Sequence, residues 1–279
     1  MLGKTPRFLR IRPWKCCVER QRGISGQVFA LQTRLRPGKG RRRTLEIQEK
    51  SFIVTGATRG IGRGLAELLV RHGARVAING RNGKNLEATG AALRKSGGDI
   101  LSIVGDVGSD KDAQRLVAAT LREFGKIDVL INNAAILGKR SPLVETPPSV
   151  WEEVLRVNVI GTVNMIRHAL PHMEKRGSGL IINLSSGWGR EASGYVAAYC
   201  ASKFAVEAIT QAVSEEIGAS GVILFALNPG VIATEMLQEA FGCDVSAYPT
   251  PEQIASQWLN LFAKVDRSWH GTSRDLDKL

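Results

Sequence analysis

Hydrophobic and polar positions alternate in a regular order from about residue 48 onward. Short apolar runs, typical of strands buried on both faces, are followed by longer segments in which apolar residues recur every three or four positions, as in amphipathic helices. The strand-like runs are SFIVTG, RVAING, ILSIVGDV, IDVLINNAA, GLIINLSS and GVILFALNPG. The helical segments are IGRGLAELLVRHG, NLEATGAALRKSGG, DKDAQRLVAATLREFG, SVWEEVLRVNVIGTVNMIRHALPHMEKRG and the segment that begins near Tyr195. Glycines such as Gly73 predict helix ends.

Six strand-like runs separated by helices predict a parallel sheet, because parallel neighbours need a crossover connection between them. The predicted fold class is therefore α/β, a doubly wound parallel sheet of the Rossmann type, with ligands bound at the carboxyl ends of the strands. Since no break in composition divides residues 47–279, we interpret them as one domain.

The net charge of +12 belongs to one segment of the chain. Residues 1–44 hold 13 Lys and Arg and a single acid, Glu19, whereas residues 45–279 hold 25 basic and 25 acidic side chains. The neutral body gives no reason to expect nucleic-acid binding. Residues 1–46 show no sustained period, and we interpret them as a basic, disordered extension that is dispensable for folding. They could be a transit peptide, which is typically rich in Arg and poor in acids, but we favour a basic tail or upstream sequence from a misplaced start.

The sequence does not indicate a membrane protein, a disulfide-rich protein or a metal-binding protein. No apolar run reaches the roughly 18 residues of a membrane span. His168 and His172 are four apart but lack an obvious third ligand, so we predict no metal site. We expect a cytoplasmic protein, or a mitochondrial or plastid one if residues 1–46 are a transit peptide. The cysteines have no metal-like spacing and suit a reducing compartment; they are Cys16, Cys17, Cys200 and Cys243.

The turn between the first strand and the first helix, TGATRGIGRG, holds three glycines, Gly56, Gly60 and Gly62. Glycines at this junction let the backbone turn tightly and approach a pyrophosphate, whose charge the helix N-terminus favours. An NAD site places a carboxylate at the end of the second strand, whereas a 2′-phosphate requires arginine. Here that strand is followed by Arg81, and Arg59 lies inside the glycine turn. The two arginines predict NADP(H) as the cofactor.

Two tyrosines, Tyr195 and Tyr199, follow the fifth strand. A tyrosine, with an ordinary pKa of about 10, needs a nearby positive charge to exchange protons at neutral pH. Residues four apart share a face of a helix, and Lys203 has that spacing from Tyr199 but not from Tyr195. The lysine therefore indicates Tyr199 as the candidate proton donor.

The body, residues 47–279, resembles the short-chain dehydrogenase/reductase family. The motifs that carry the resemblance occur in the family's order: TGATRGIG, GDV, NNAA, Asn158 in the following helix, NLSS, YCASK and NPGVIAT. The chain departs from the pattern at Ala135, where glycine is usual, and in the tail WHGTSRDLDKL, which lacks the V-D-G-G type of ending. The resemblance implies a catalytic domain over residues 47–279 and a homo-oligomer, either a dimer or a tetramer, although the tetrameric contacts of the last strand rely on that missing ending.

In this family the catalytic serine lies thirteen residues before the catalytic tyrosine, which implies Ser186 for Tyr199. The implied catalytic residues are Asn158, Ser186, Tyr199 and Lys203. NADPH would supply hydride to a carbonyl carbon while Tyr199 protonates the oxygen. Lys203 and the positive nicotinamide of the oxidised cofactor would lower the pKa of Tyr199. Ser186 would donate a hydrogen bond to the same oxygen. Asn158 would hold a water that links Lys203 to solvent, although a satisfied polar residue inside a helix is the alternative.

The resemblance also assigns the contacts with the cofactor. Asp106 and Val107 would lie on the adenine side, Asn132 would fix the central strand and line the ribose, and Thr234 would cap the nicotinamide amide. The full implied set of cofactor-binding residues is Gly56, Thr58, Arg59, Gly60, Ile61, Gly62, Arg81, Asp106, Val107, Asn132, Ala134, Tyr199, Lys203, Pro229, Gly230, Ile232 and Thr234.

The implied function is an NADPH-dependent oxidoreductase that reduces a small-molecule ketone or aldehyde to an alcohol, or catalyses the reverse reaction. A catalytically idle NADP-binding scaffold is the alternative, although a scaffold has no need of Tyr199 and Lys203. A third class is a nucleic-acid or anionic-surface binder acting through residues 1–44, which salt-dependent binding that disappears on removal of those residues would support. Trp188, Arg190 and Tyr195 are candidate pocket residues; for Arg190, a structural role is favoured over recognition of an anionic substrate.

Overall fold

A parallel β-sheet forms the centre of the protein in the computed structural model, which describes residues 46–279. The predicted extension of residues 1–46 lies, apart from Glu46, outside the described residues. Within residues 46–279 the sheet has seven strands: β1 Ser51–Val54, β2 Arg75–Gly80, β3 Asp99–Val104, β4 Val129–Asn132, β5 Gly179–Leu184, β6 Val222–Asn228 and β7 Ser273–Asp275. The strand order is β3-β2-β1-β4-β5-β6-β7.

The helices lie on both faces of the sheet, as the alternating pattern predicts for a doubly wound fold. Their bounds in the described chain are α1 Gly60–Arg71, α2 Gly83–Lys95, α3 Asp110–Phe124, α4 Pro148–Leu155, α5 Gly161–Arg176, α6 Ala197–Ile217, α7 Glu235–Phe241 and α8 Ala255–Lys264. Short 3₁₀ turns occupy Leu143–Glu145, Gly187–Gly189, Arg267–Trp269 and Leu276–Lys278. The predicted α/β fold class is confirmed.

Strand residues alternate between two hydrophobic cores, one on each face of the sheet. On β1, Phe52 and Val54 face the core built with α1, α2 and α8, whereas Ile53 faces the core built with α3 and α5. β1 and β4 are completely buried, and β5 and β6 nearly so, because helices cover both faces of the sheet, which explains their nearly continuous apolar sequences. Trp258 and Phe262 of α8 pack into the first core, against Phe52.

The strands all run in the same direction, but the order in which they are added reverses at β1, which pairs with β2 on one side and β4 on the other. Chain connections leave this point in opposite directions, so the loops after β1 and β4 leave a crevice between them. The helix ends that border these loops are set by local signals. Ser109 caps α3 by accepting from the amide of Asp112, and Gly125 ends α3 in the left-handed conformation.

Two features of the described chain differ from the sequence expectation. The tail, for which no strand is predicted, adds β7, which pairs with the edge of β6 from Ala226↔Ser273 to Asn228↔Asp275. The segment expected to be one long helix is α4 and α5 joined by a π turn at Arg156–Ile160. The turn inserts one extra residue into the helical backbone, and a hydrophobic period averaged over the whole segment does not detect such a local change.

Candidate active site

A cleft opens at the carboxyl ends of the strands and holds about 1070 Å³ of space that is continuous with solvent. Thirteen of the predicted site residues line it: Gly56, Thr58, Arg59, Gly60, Ile61, Arg81, Asp106, Val107, Ala134, Tyr199, Lys203, Pro229 and Thr234. The other predicted site residues are not among the lining residues; they are Gly62, Asn132, Asn158, Ser186, Gly230 and Ile232. Residues that the sequence did not indicate complete it: Asn79, Gly80, Gly105, Asn133, Ala135, Ile136, Val157, Leu184, Ser185, Glu235 and Met236.

The glycine turn after β1 is suited to a pyrophosphate. Gly56 and Gly60 have φ of +64° and +55°, a conformation that side chains with a Cβ rarely adopt. A Cβ on Gly56 would lie 2.8 Å from the Cα of Ala134, and one on Gly62 would lie 2.5 Å from the carbonyl oxygen of Gly56. At the N-terminus of α1, Arg59 makes no side-chain cap and the first turn holds no acid. The free N–H groups there fit a bound anion.

The two arginines that predict a 2′-phosphate site both line the cleft, and both contact a carboxylate. Arg59 forms an ion pair with Glu235, the first residue of α7. Arg81 lies 3.3 Å from an oxygen of Glu153 on α4. All four side chains are half exposed or more, so these pairs are weak and a dianionic phosphate can displace them.

The predicted adenine-side residue Asp106 is held by its own neighbours. One oxygen of its carboxylate accepts from the amide of Gly108 at 2.9 Å, and the other accepts from Arg156 at 2.7 Å. Arg156 is the first residue of the π turn, so this ion pair links the far end of the cleft to the segment that carries Asn158.

The structure places the two asparagines of NNAA on different sides of the backbone. Asn132, predicted to line the ribose, is buried beneath the cleft, where its amide donates to the Asn183 oxygen at 2.8 Å. Asn133 lines the cleft and donates to the carbonyl oxygens of Thr55 and Gly56 at 2.7 and 3.0 Å. The link between the glycine turn and β4 therefore comes from Asn133. The repeated asparagine is the signal in the sequence that could have indicated it, because successive strand residues point in opposite directions.

Tyr199 and Lys203 lie together at the floor of the cleft on α6, both buried. The ammonium nitrogen of Lys203 is 5.6 Å from the centre of the Tyr199 ring and donates to the carbonyl oxygen of Leu184 at 2.7 Å. Ser186 begins the turn after β5, accepts from the amide of Trp188 at 3.1 Å, and interacts through its hydroxyl with Tyr199. Tyr195 is 44% exposed, with a φ of +68° in the preceding loop. Only one of the two tyrosines therefore meets both serine and lysine.

Burial is the largest influence on the pKa values of Tyr199 and Lys203. It raises the pKa of Tyr199 to about 12, although the Ser186 hydroxyl acts in the opposite direction. Burial also lowers the pKa of Lys203 to about 8, partly offset by the nearby carboxylate of Glu207. The resemblance implies that Lys203 and the positive nicotinamide of the oxidised cofactor lower the pKa of Tyr199, but the net effect of the protein's own groups is in the other direction. The net shift is upward because the loss of water outweighs other effects. At neutral pH the pair is thus a protonated phenol beside an ammonium group.

Asn158 lies within the π turn and is buried behind the cleft. Its oxygen accepts from the amide of Ile136 at 2.8 Å, and its nitrogen donates to the carbonyl oxygen of Ile136 and to Ser202. Both N–H groups are used, so the side chain fastens the loop after β4 to α6. The side chain is therefore a satisfied polar group, and the water link from Lys203 to solvent stays a prediction.

The turn after β6 carries the predicted nicotinamide contacts. Gly230 has a φ of +85°, and its amide donates to the side-chain oxygen of Asn228 at 3.1 Å. Ile232 packs into the hydrophobic core, whereas Thr234 lines the cleft and caps α7 by accepting from the amide of Leu237. The turn is thereby fixed between the sheet and α7.

An aromatic wall stands beside Tyr199. We use this name for Trp188, Phe241 and Tyr248, of which Trp188 meets Tyr199 edge-on with ring centres 6.1 Å apart. Phe241 contacts Trp188 at 6.2 Å and Tyr248 at 6.0 Å. Leu137 and Val196 are buried in the same apolar cluster. Arg190 does not join it: both of its terminal nitrogens bond to Asp275, in agreement with a structural role.

A doubly wound parallel sheet with a glycine-lined cleft at its switch point defines a dinucleotide-binding protein. The chain belongs to the short chain dehydrogenase family, whose model matches residues 50–242. It is therefore an oxidoreductase, as the resemblance implies. Within residues 46–279, no helix combines the length and apolar composition needed to cross a membrane.

Relatives of known activity share more than a third of the aligned residues. A pterin aldehyde reductase of Arabidopsis thaliana, described as NADPH-dependent, is 36% identical over 221 residues, which cover 78% of this chain and 90% of the relative. A 3-oxoacyl-[acyl-carrier-protein] reductase of Staphylococcus aureus is 35% identical over 188 residues, covering 67% of this chain and 76% of the relative.

Solved structures of other short chain dehydrogenases have the same fold as this chain. A short chain dehydrogenase from Shigella flexneri, complexed with NADP, superposes with a TM-score of 0.78 at 29% identity, over 84% of this chain and 100% of that one. A short chain dehydrogenase from Escherichia coli CFT073, complexed with NADPH, gives 0.77 at 30% identity, over 84% and 99% of the respective chains.

Proposed function

We propose that the protein reduces an aldehyde or ketone to an alcohol with NADPH, or catalyses the reverse reaction, and that Tyr199 is the proton donor. The observation that carries this proposal is the position of Tyr199 in the cleft, buried beside Lys203 and within reach of the Ser186 hydroxyl. An idle scaffold has no use for this group of side chains, whereas carbonyl reduction needs an acid and a hydrogen-bond donor at one oxygen.

The cofactor is NADP(H). The Arabidopsis relative is NADPH-dependent, and the Shigella and Escherichia coli proteins are complexed with NADP and NADPH. The residues of this chain fit that cofactor, because the glycine turn leads into the N-terminus of α1, which has no side-chain cap, and Arg59 and Arg81 add positive charge to the same cleft. When bound, NADPH supplies the hydride that reduces the carbonyl carbon.

The side chains of this protein would donate a proton and a hydrogen bond to the carbonyl oxygen of the substrate. Tyr199, protonated at neutral pH, gives its proton to the oxygen as negative charge develops there. Ser186 accepts from the Trp188 amide, which leaves its own proton free to donate to the same oxygen. Lys203 holds positive charge next to the phenol and stabilises it once the proton has left. Asn158 acts indirectly, by fixing the loop that lines the cleft.

The aromatic wall favours substrates in which the carbonyl is attached to a flat, uncharged ring. Trp188 meets Tyr199 edge-on, and Phe241 and Tyr248 extend the row of rings beyond Trp188; aromatic pairs prefer edge-on or offset contacts of this kind. Arg190 is bonded to Asp275, so it does not offer a charge to a carboxylate or phosphate of the substrate. The pterin aldehyde of the Arabidopsis relative belongs to this class.

The test is turnover with NADPH against a panel of aromatic aldehydes, quinones and aliphatic ketones, followed by the exchange of each tyrosine. Tyr199→Phe keeps the ring but removes the acid, so kcat should fall by roughly 100- to 10,000-fold while NADPH affinity stays near the wild-type value. Tyr195→Phe is the matched control, because it removes a hydroxyl from the neighbouring loop, and it should retain most of the activity. A Tyr199→Phe variant as active as wild type would exclude this tyrosine as the proton donor.

A further inference from the structure

Asp275 ends β7 and lies in the part of the chain beyond residues 50–242, to which the family match extends. Its carboxylate is 13% exposed and binds side chains from three segments. Arg190 contacts both of its oxygens, one of them at 3.3 Å; Asn228 donates to Oδ1 at 2.9 Å, and Lys278 donates to Oδ2 at 2.9 Å. Because Asp275 pairs with Asn228 in the sheet register, it lies at the carboxyl edge where the cleft opens.

The first of these segments carries Ser186. The 3₁₀ turn after β5 closes through the amide of Gly189, which donates to the Ser186 carbonyl oxygen at 2.9 Å, and the amide of Arg190, which donates to Gly187 at 3.1 Å. The side chain of Arg190 then reaches across to Asp275. A two-pronged contact between arginine and carboxylate restricts the direction of both groups as well as their distance. Asp275 therefore fixes the far end of the turn that begins at Ser186.

The second segment is the turn after β6. Asn228 donates to Asp275 with its nitrogen and accepts the Gly230 amide with its oxygen at 3.1 Å. If the carboxylate were absent, Asn228 would lose the partner that orients its amide, and the left-handed turn at Gly230 would lose a fixed acceptor. The same acid thus supports the turn that would receive the nicotinamide end of the cofactor.

The third segment is the C-terminal 3₁₀ turn, which carries Lys278, and Arg190 also links this cluster to α6. Glu207 lies one helical turn after Lys203, is buried, and accepts from the hydroxyl of Ser273 on β7 at 3.0 Å. Arg190 approaches the same Glu207 oxygen with its Nε at 4.0 Å. Arg190 consequently lies between two acids, and Asp275, with the shorter contacts, determines which of them it binds.

We propose that Asp275 is a positioning residue that holds the Ser186 turn and the Gly230 turn in register with each other across the catalytic cleft. The inference rests on the proposed carbonyl reduction, since it assigns Ser186 and the turn after β6 to that reaction. It extends the active site to β7, whose residues are not among those that line the cleft.

The test uses Asp275→Asn, which keeps the size and removes the charge. Misplacement of a reacting group by about 1 Å lowers rates by up to roughly 100-fold, so kcat should fall about 10- to 100-fold, with KM for the carbonyl changing less than about threefold. Asp277→Asn is the matched control, because it removes the same charge two residues away from an exposed side chain, and it should behave as wild type. Arg190→Gln should show the same loss, and the double variant should be no slower than either single one.

Full kcat in Asp275→Asn, or losses that multiply in the double variant, would overturn the proposal. If Asp275→Asn does not fold, the decision passes to Arg190→Gln, whose side chain is more exposed, and wild-type kcat there would overturn it equally.

A second measurement needs no turnover and therefore separates this inference from the proposed reaction. Asp275→Asn should bind NADPH about fivefold more weakly through the loosened Gly230 turn, and should bind 2′-phospho-ADP-ribose, which has no nicotinamide, as wild type does. Unchanged affinity for both ligands would contradict the positioning role. Absence of turnover in the wild-type protein with every carbonyl would refute the proposed reaction alone.

Discussion

Exchange of Arg81 for aspartate tests the electrostatic basis of cofactor choice. Arg81 lines the cleft at the end of β2, with its guanidinium 3.3 Å from Glu153. In the variant, the cation disappears, a carboxylate takes its place, and Glu153 is left without its partner. A 2′-phosphate would then face two acids, whereas the 2′-hydroxyl of NADH could donate to the new carboxylate.

The size of the effect follows from two opposing contributions. A hydrogen bond between arginine and phosphate contributes about 1.5–3 kcal/mol, and the Arg81–Glu153 pair that it replaces, about half exposed at both partners, contributes about 0.2–1 kcal/mol. The net contribution of Arg81 is therefore roughly 0.5–2.8 kcal/mol, or about 2- to 100-fold in affinity. The repulsion between the new carboxylate and the 2′-phosphate adds to this loss, so we expect NADPH affinity to fall by an amount in the upper part of that range.

The assay is a fluorescence titration of NADPH and NADH into wild type and variant at one ionic strength, because screening alters every term. Arg94→Asp is the matched control: it makes the same change of charge on α2, at a residue that pairs with Glu87 and does not line the cleft. We expect Arg81→Asp to weaken NADPH binding and to narrow or reverse the preference, and Arg94→Asp to leave the ratio of affinities unchanged. Equal wild-type affinities for the two cofactors, or an unchanged ratio in Arg81→Asp, would refute the assignment.

Two further predictions concern the stability of the fold around the site. Gly62→Ala places a Cβ 2.5 Å from the Gly56 carbonyl oxygen, so unfolding in urea should show a loss of about 1–3 kcal/mol, while Gly194→Ala, where the space is open, should be neutral; equal stability of the two variants would contradict the packing argument. His270 accepts the Leu224 amide and contacts the Ser214 carbonyl oxygen, and burial lowers its pKa. As pH falls, the unfolded chain therefore takes up the proton before the folded protein does, so the free energy of unfolding should decrease as pH drops through about 6.5. This decrease should be less steep in the variant His270→Gln than in the variant of an exposed control residue, His172→Gln.

The strands that periodicity predicted have continuous apolar sequences, and in most of them both faces are buried. β7 was not predicted, because its residues Ser273, Arg274 and Asp275 are all polar. It is a strand because the exposed edge of β6 supplies hydrogen-bonding partners. Tertiary context of this kind outweighs local propensity in short segments.

Within the site, spacing along one helix was enough to bring Tyr199 and Lys203 together. Contacts between distant segments were not predictable in the same way. Glu235 and Glu153 meet the two cofactor arginines from α7 and α4, and nothing in the glycine turn or in β2 indicates those partners. The exchange of roles between Asn132 and Asn133 has a simpler cause, since it depends on which face of the backbone each residue occupies after β4 ends.

The π turn at Arg156–Ile160 has a consequence for helical phase. One extra residue in a helix rotates everything beyond it by about 100° relative to an uninterrupted helix, since 3.6 residues complete a turn. α4 can therefore direct Val154 inward next to α6, while α5, on the same continuous axis, directs Met165 and Met173 towards α3 and the sheet. Deleting a single residue between 156 and 160 would restore a regular helix and turn one of these two apolar stripes towards solvent.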